Sequence, residues 1–490
     1  MKPTLIFAAV AAALATTAHA EAPRLTIFSG DYDAVVQSGG QAGGAGLAHY
    51  QARLAWDLQA GDNTVRLSGL PAALDVGSVR LEPLGSARVR GQRYDFGLAG
   101  QHALLQRAIG RQVVVEHAVG NQRETVSGTL LAAGDGLTLR LADGRVKVLS
   151  SYSSFELPAL PEGMAAEPGL AWTLATGRAG REQFDLRYAT AGLAWRAEYQ
   201  ATLEGQGKAC RMRFDGAALV ANGAGTDFSG VALTLVAGQP NRVADGAYAP
   251  PAPMMAKAER AMVLADAAPV PEAAGEYHAY RLPGTGDLPQ GSVQRLPLLD
   301  PVAGLPCTRR YEVSSTMGNW QPPRPIIDAN YGDNEGRPPV TAHLSFENGK
   351  GAGLGLPLPA GRVRVFEGED LLGEARLAHT PANEKVELEL GTVFDLSAER
   401  RREDFRLDRD GRTMTETVTV VVRNAKAEAA TVQVREALPR WSEWEITETN
   451  VPASKLDAQV AGFELSVPAG GEAQLRYTVR YRWGPDVRIP

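Results

Sequence analysis

The two cysteines, Cys210 and Cys307, offer the plainest chemistry in this chain. In an oxidising compartment a lone pair within one expected domain is a disulfide candidate; in a reducing cytosol the same residues are two small, partly buried thiols. A bridge would close a loop of roughly a hundred residues, worth on the order of 4 kcal/mol in the chain-entropy account. The histidines beyond the first twenty residues, His49, His102, His117, His278, His343 and His379, are scattered singly, with no His-Glu-x-x-His pair for zinc. No Gly-x-Ser-x-Gly elbow supplies a serine nucleophile.

Three polar constellations remain. Asp328-x-Asn330-x-Gly332-Asp333-Asn334-Glu335-Gly336 carries the oxygen donors calcium takes. An EF-hand would need a donor where Gly332 stands and a Glu where Pro339 stands, so the readings left are a calcium loop of another kind or a solvated polar loop. Gly349-x-Gly351-x-Gly353-x-Gly355 has phosphate-loop spacing. Leu356-Pro357-Leu358-Pro359 follows it, which cannot begin the helix whose N-terminus would meet a phosphate. Glu367, Glu369 and Asp370 read as an acidic turn, and Arg400-Arg401-Arg402 beside Glu399, Glu403 and Asp404 as the charged face of a short helix over Ser397–Phe405. Among 56 acidic residues no pair stands out as a glycosidase couple. No catalytic residue, metal set or cofactor is assigned.

The elements that must hold these residues are strands. Gln51–Leu58, Thr64–Leu67, Phe184–Ala189, Trp195–Leu203, Met212–Val220, Val231–Val236, Val340–Phe346, Met414–Val422 and Ala473–Trp483 alternate apolar with polar residues between Gly, Pro and Asp turns. The expected fold is all-β, with several antiparallel sandwich or barrel modules in tandem and very little helix. The expected divisions are a signal peptide over 1–20, an N-terminal β-domain over 22–100, and a small Sm- or SH3-like barrel over 105–157. A central β-domain over 170–395 follows, then an immunoglobulin-like sandwich over 406–485. The Pro- and Ala-rich stretch 240–275 reads as a disordered insertion within the central domain, with a short helix over Met254–Leu264.

Met1-Lys2, the apolar run Leu5–Ala15 and Ala18-His19-Ala20 before Glu21 form a secretory signal, too short and Ala-rich to span a bilayer. Cleavage after Ala20 leaves 49 basic against 56 acidic residues, −7, a balance that argues against nucleic acid. No later run is long enough to span a membrane, and no Cys stands at position 21 to take a lipid. The expected location is the periplasm, with secretion as the alternative, and there the Cys210–Cys307 pair would be oxidised.

Several blocks fall in a fixed order. They are Phe184–Tyr199, Ala217–Phe228 continuing to Leu233–Gly238, Tyr280–Pro283, Phe346–Asn348, Gly353–Phe366, Leu372–Glu374 and Leu390–Asp395. Together they resemble the bacterial domain-of-unknown-function 4139 family over roughly 180 to 485. The resemblance implies an exported, mostly β protein with no assigned reaction and no catalytic residues to carry over. Its mucoidy-inhibitor-like relatives carry a coiled-coil arm, and no heptad run occurs in this chain. The expected function is a non-enzymatic envelope module that binds or scaffolds a protein or glycan. The alternatives are a periplasmic hydrolase acting on glycan or peptide, and a calcium-dependent adhesion module.

Overall fold

Period-two alternation puts one face of each strand into a core and leaves the other polar. The computed structural model describes residues 21–39, 44–95, 100–119, 122–159, 169–204, 210–241, 269, 271–315, 322–331 and 336–489, and it is all-β with very little helix. The signal segment and the helix expected over Met254–Leu264 lie outside the described residues, as does most of the 240–275 insertion. At the end of that insertion Pro271–Ala274 forms a strand paired with Tyr277–Arg281.

The chain divides into two compact units, Met1–Arg196 with Leu219–Leu296 and Ala197–Ala218 with Pro297–Pro490. In the first, an eight-stranded sheet has Arg24–Phe28 at its centre, antiparallel to Ala48–Leu58 and parallel to Phe228–Ala237. Ala48–Leu58 pairs along its length with Gly180–Thr190. Gly61–Ser68 and Arg88–Asp95 flank Gly169–Thr176 in a three-stranded sheet. This corrects the expected N-terminal domain over 22–100. Its strands take their partners from 169–190 and 228–237, and one core joins Leu58, Leu70 and Leu81 to Trp172, Phe184 and Tyr188. Strand pairing across a hundred residues leaves no mark on local alternation, so sequence spacing placed the boundary too early.

Residues 112–156 form a five-stranded antiparallel sheet of Gln112–Val119, Gln122–Ala133, Leu137–Arg140, Val146–Leu149 and Ser154–Glu156. Its core is Val113, Val115, Leu130 and Leu139, with Leu105 from the helix Gly100–Arg107.

The longest strands, Ser292–Ser315 and Lys385–Asp408, belong to a 13-stranded sheet that lies mostly in the second unit. From Asp370–Leu377 the order runs through Gly361–Glu367, Leu193–Glu204, Arg211–Asn222, Ser292–Ser315 and Pro339–Glu347 to Lys385–Asp408. There the sheet curls back on its first strand. A Cβ added at Gly373 would lie 2.1 Å from the Leu390 carbonyl oxygen, so only glycine allows this approach. Tyr199 stacks on Phe214, which packs on Phe346, inside the curl.

The far halves of the two long strands build a sandwich with the C-terminal strands. Tyr311↔Val432 is a parallel pair and Leu396↔Asn424 an antiparallel one. Leu475, Tyr477, Val479 and Tyr481 share one buried face, as the alternation predicts. The expected sandwich over 406–485 is therefore incomplete without residues upstream of 406. The expected helix over Ser397–Phe405 is also corrected: those residues continue the strand Lys385–Asp408, with Leu396, Ala398 and Arg400 facing in. Among the described residues the α-helices lie elsewhere, at Tyr32–Gln37 and Gly100–Arg107.

Candidate functional site

Cys210, at the start of Arg211–Asn222, is bonded to Cys307 on the neighbouring strand Ser292–Ser315, with α-carbons 4.9 Å apart. The Cys307 amide also donates to the Cys210 carbonyl at 3.0 Å. Beside the bond, Gly304 takes a positive φ of 67° and is held from both sides. Its amide donates to Glu204 Oε2 at 3.1 Å, and its carbonyl accepts from Arg211 Nη1 at 2.9 Å. Staple and ion contacts fix one kink in a long strand.

The densest set of ionisable groups lies inside the sandwich. The alternation that turns Arg400 inward sets its Nε 2.9 Å from Glu436 Oε2, which also accepts from the Tyr477 hydroxyl at 2.5 Å. Burial works against the Arg400 charge, but Glu436 and Tyr477 together outweigh it and hold the guanidinium above its usual range. Burial, and then the Glu436 charge, hold the Tyr477 hydroxyl well above its ordinary value. Burial, and then Glu416, do the same to Tyr481. Arg440, 2 % exposed, sits 2.8 Å from Glu416. A second buried carboxylate, Glu198, is 2 % exposed and accepts from Arg362 Nη2 at 2.9 Å and Arg364 Nη1 at 3.3 Å. Glu436 and Glu198 are closed from solvent and each is matched to a guanidinium, an arrangement that fixes geometry and offers no free acid or base to a substrate. The Arg400-Arg401-Arg402 run is thus split by the strand: Arg400 is buried, Arg401 exposed, and Arg402 reaches towards Glu416 at 3.7 Å.

The loop proposed for calcium is part-described, because 332–335 lie outside the described residues. In the described part a side-chain cation already uses the oxygens. Arg440 Nη1 donates to the Ile326 and Asp328 carbonyls at 3.0 and 2.6 Å, and Nη2 to the Tyr331 carbonyl at 3.0 Å. Asp328 Oδ1 accepts from the Asn330 amide in an Asx turn. Among the described residues no three His, Cys, Asp or Glu side chains gather to hold a metal. The histidines stay apart: His49 packs edge-on to Phe28, His117 lies 3.2 Å from Lys147 Nζ, and His379 accepts from the Ala360 amide.

The glycine-rich stretch is a short turn over Lys350–Ala352 wrapped around Asn348, whose side chain is fully buried. Asn348 Nδ2 donates to the Leu356 and Pro381 carbonyls, and Oδ1 accepts from the Gly355 amide. Asn222 and Asn424 repeat the device. Each accepts from the amide two residues on and donates to carbonyls across the core. Sequence reading passed over these three pins. Their signal is an Asn at the end of an apolar strand, just before a Gly- or Ala-rich turn.

A multi-sheet β architecture with disulfide-stapled strands and arginine-neutralised buried carboxylates defines an all-β scaffold. The family described as Domain of unknown function (DUF4139) matches residues 184–485, more than half of the chain, and the chain belongs to that family. Comparison with curated proteins and with solved structures gives no match.

Proposed function

We propose that the protein is an exported, non-enzymatic binding or scaffold module of the cell envelope, acting on a protein or glycan through loops and strand edges. The observation that carries the reading is the Cys210–Cys307 bond. A disulfide between strands that already pair suits an oxidising compartment, and it agrees with the secretory pattern of residues 1–20. Neutralised buried carboxylates favour a scaffold over a hydrolase, because general acid–base work needs a carboxyl with a proton to exchange and a path to substrate. Arg440 on the 326–331 carbonyls weighs against the calcium reading. No helix among the described residues is long and apolar enough to cross a membrane. The test is fractionation of the native cells with N-terminal sequencing and a non-reducing peptide map. A periplasmic protein beginning at Glu21, with Cys210 and Cys307 in one linked peptide, is the expected result. A cytosolic protein with both thiols free would overturn it.

A further inference from the structure

The three-stranded sheet of Gly61–Ser68, Gly169–Thr176 and Arg88–Asp95 has two unlike faces. Leu170, Trp172 and Leu174 of its middle strand turn into the core with Val65, Leu67 and Tyr94. Alternation turns Gly169, Ala171 and Thr173 the other way. On that outer face Gly169 pairs with Ser68 and Asp95, Ala171 with Arg66 and Arg93, and Thr173 with Thr64 and Gly91. The one register shift falls beyond these rows, between Thr173 and Leu174. A floor of small residues thus runs along the middle strand, with an arginine rising on each side at Ala171. The two arginines stand two strand spacings apart, roughly 10 Å, the width of a trough for one extended chain.

The charge of the trough suits an anion. Asp95 Oδ2 accepts from Arg66 Nη1 at 2.6 Å, and Asp95 Oδ1 from Arg93 Nε at 3.0 Å. The Asp95 side chain is 13 % exposed, those of Arg66 and Arg93 40 % and 69 %. One shielded carboxylate therefore holds two exposed guanidinia in place and neutralises only one of them. Arg66 also lies over the floor: a Cβ at Gly169 would stand 3.2 Å from its Nη2 and 3.3 Å from its Nε, donors that Asp95 does not use. The three strands carry Arg66, Arg88, Arg90 and Arg93 against Asp62 and Asp95, a balance of +2 in a chain at −6. None of the exposed large apolar side chains among the described residues stands on these rows, so a protein partner finds no apolar anchor point. A sugar chain needs none. Its rings lie flat over glycine and alanine, its hydroxyls reach the exposed Thr64 and Thr173 hydroxyls, and its carboxylates meet the guanidinium forks.

We propose that this trough, with Arg66, Arg93, Thr64 and Thr173 around the floor of Gly169 and Ala171, binds an extended glycan chain that carries carboxylates. The inference rests on the binding-module reading and gives it a sheet face and a ligand class. The shared Asp95 carboxylate orients both arginines before the ligand arrives, which lowers the ordering cost of binding.

The test titrates the full mature chain with tetragalacturonate, with neutral maltotetraose and with tetraglutamate. Tetragalacturonate should bind, more weakly as salt is raised, and the other two should not. Arg93→Gln should weaken binding about tenfold, the effect of losing a charge-assisted hydrogen bond. Thr173→Glu sets a carboxylate on the trough at an exposed position and should abolish binding with the melting temperature unchanged. Failure of tetragalacturonate to bind overturns the proposal. So does equal binding of maltotetraose or tetraglutamate, or binding indifferent to Thr173→Glu. Photo-cross-linking probes spread over the chain in the native envelope separate the two readings. Partners captured at other surfaces, when tetragalacturonate has failed, overturn this trough and leave the binding module standing. Silence at every position together with that failure overturns both.

Discussion

Arg440 shows how a single buried residue sets geometry here. Its guanidinium neutralises Glu416 and draws the carbonyls of Ile326, Asp328 and Tyr331 onto one fork, so one side chain fixes a segment with no regular structure of its own. Arg440→Met should leave the part-buried Glu416 with Arg402 3.7 Å away and take the guanidinium donors from the Ile326 and Tyr331 carbonyls, while the Asp328 carbonyl keeps the Tyr331 amide. A loss of about 3–5 kcal/mol in denaturant-measured stability is expected, the range for removing one partner of a buried pair. The buried tyrosines make a pH prediction. Burial is the leading cause that raises the hydroxyls of Tyr188, Tyr280, Tyr477 and Tyr481. A folded-state value above the unfolded one, near 10, means the unfolded chain loses the proton first. The contribution is then whole below pH ~10 and is lost as pH rises beyond it, by up to about 1.4 kcal/mol per pH unit for each group. Denaturant melts between pH 8 and 11 should show a plateau and then a fall, and Tyr188→Phe should make the fall shallower. Little of this was legible beforehand. Arg400 and Arg440 look like surface charge in sequence, because an inward arginine is recognised only through the carboxylate that a distant strand brings to it.

At the scale of elements, the strands themselves were readable and their partners were not. Alternation marked Ala473–Trp483 and its buried face correctly. The same rule, applied to Ser397–Phe405, gave way to the charge run and produced a helix in place of a strand. Arg24–Phe28 lies between one strand twenty residues on and another two hundred residues on, and only the second pairing defines its unit. Glycines at close approaches carry the assembly. Gly192 has φ 83°, and an added Cβ would lie 2.6 Å from the Ala224 α-carbon. Gly192→Ala should cost about 2 kcal/mol or more from strain and overlap, seen as a lower denaturant midpoint with an unchanged slope.

For the molecule as a whole, the Cys210–Cys307 bond closes a loop across a sequence separation of 97. Reduction, or Cys210→Ser with Cys307→Ser, should lower stability by about 4–5 kcal/mol in the chain-entropy account, with the strand pairing around the bond retained and visible in far-UV circular dichroism. The staple, the buried ion pairs and the asparagine pins all act to hold one arrangement of sheets, as a binding scaffold requires, and family membership over 184–485 assigns no reaction against that reading. Cross-linking with mass spectrometry across the whole chain in intact cells tests it most directly. The account predicts cross-links from surface loops and strand edges of the processed, oxidised protein to one recurrent envelope partner. A protein that makes no recurrent cross-link, yet releases product from envelope glycan or peptide when purified, would contradict it.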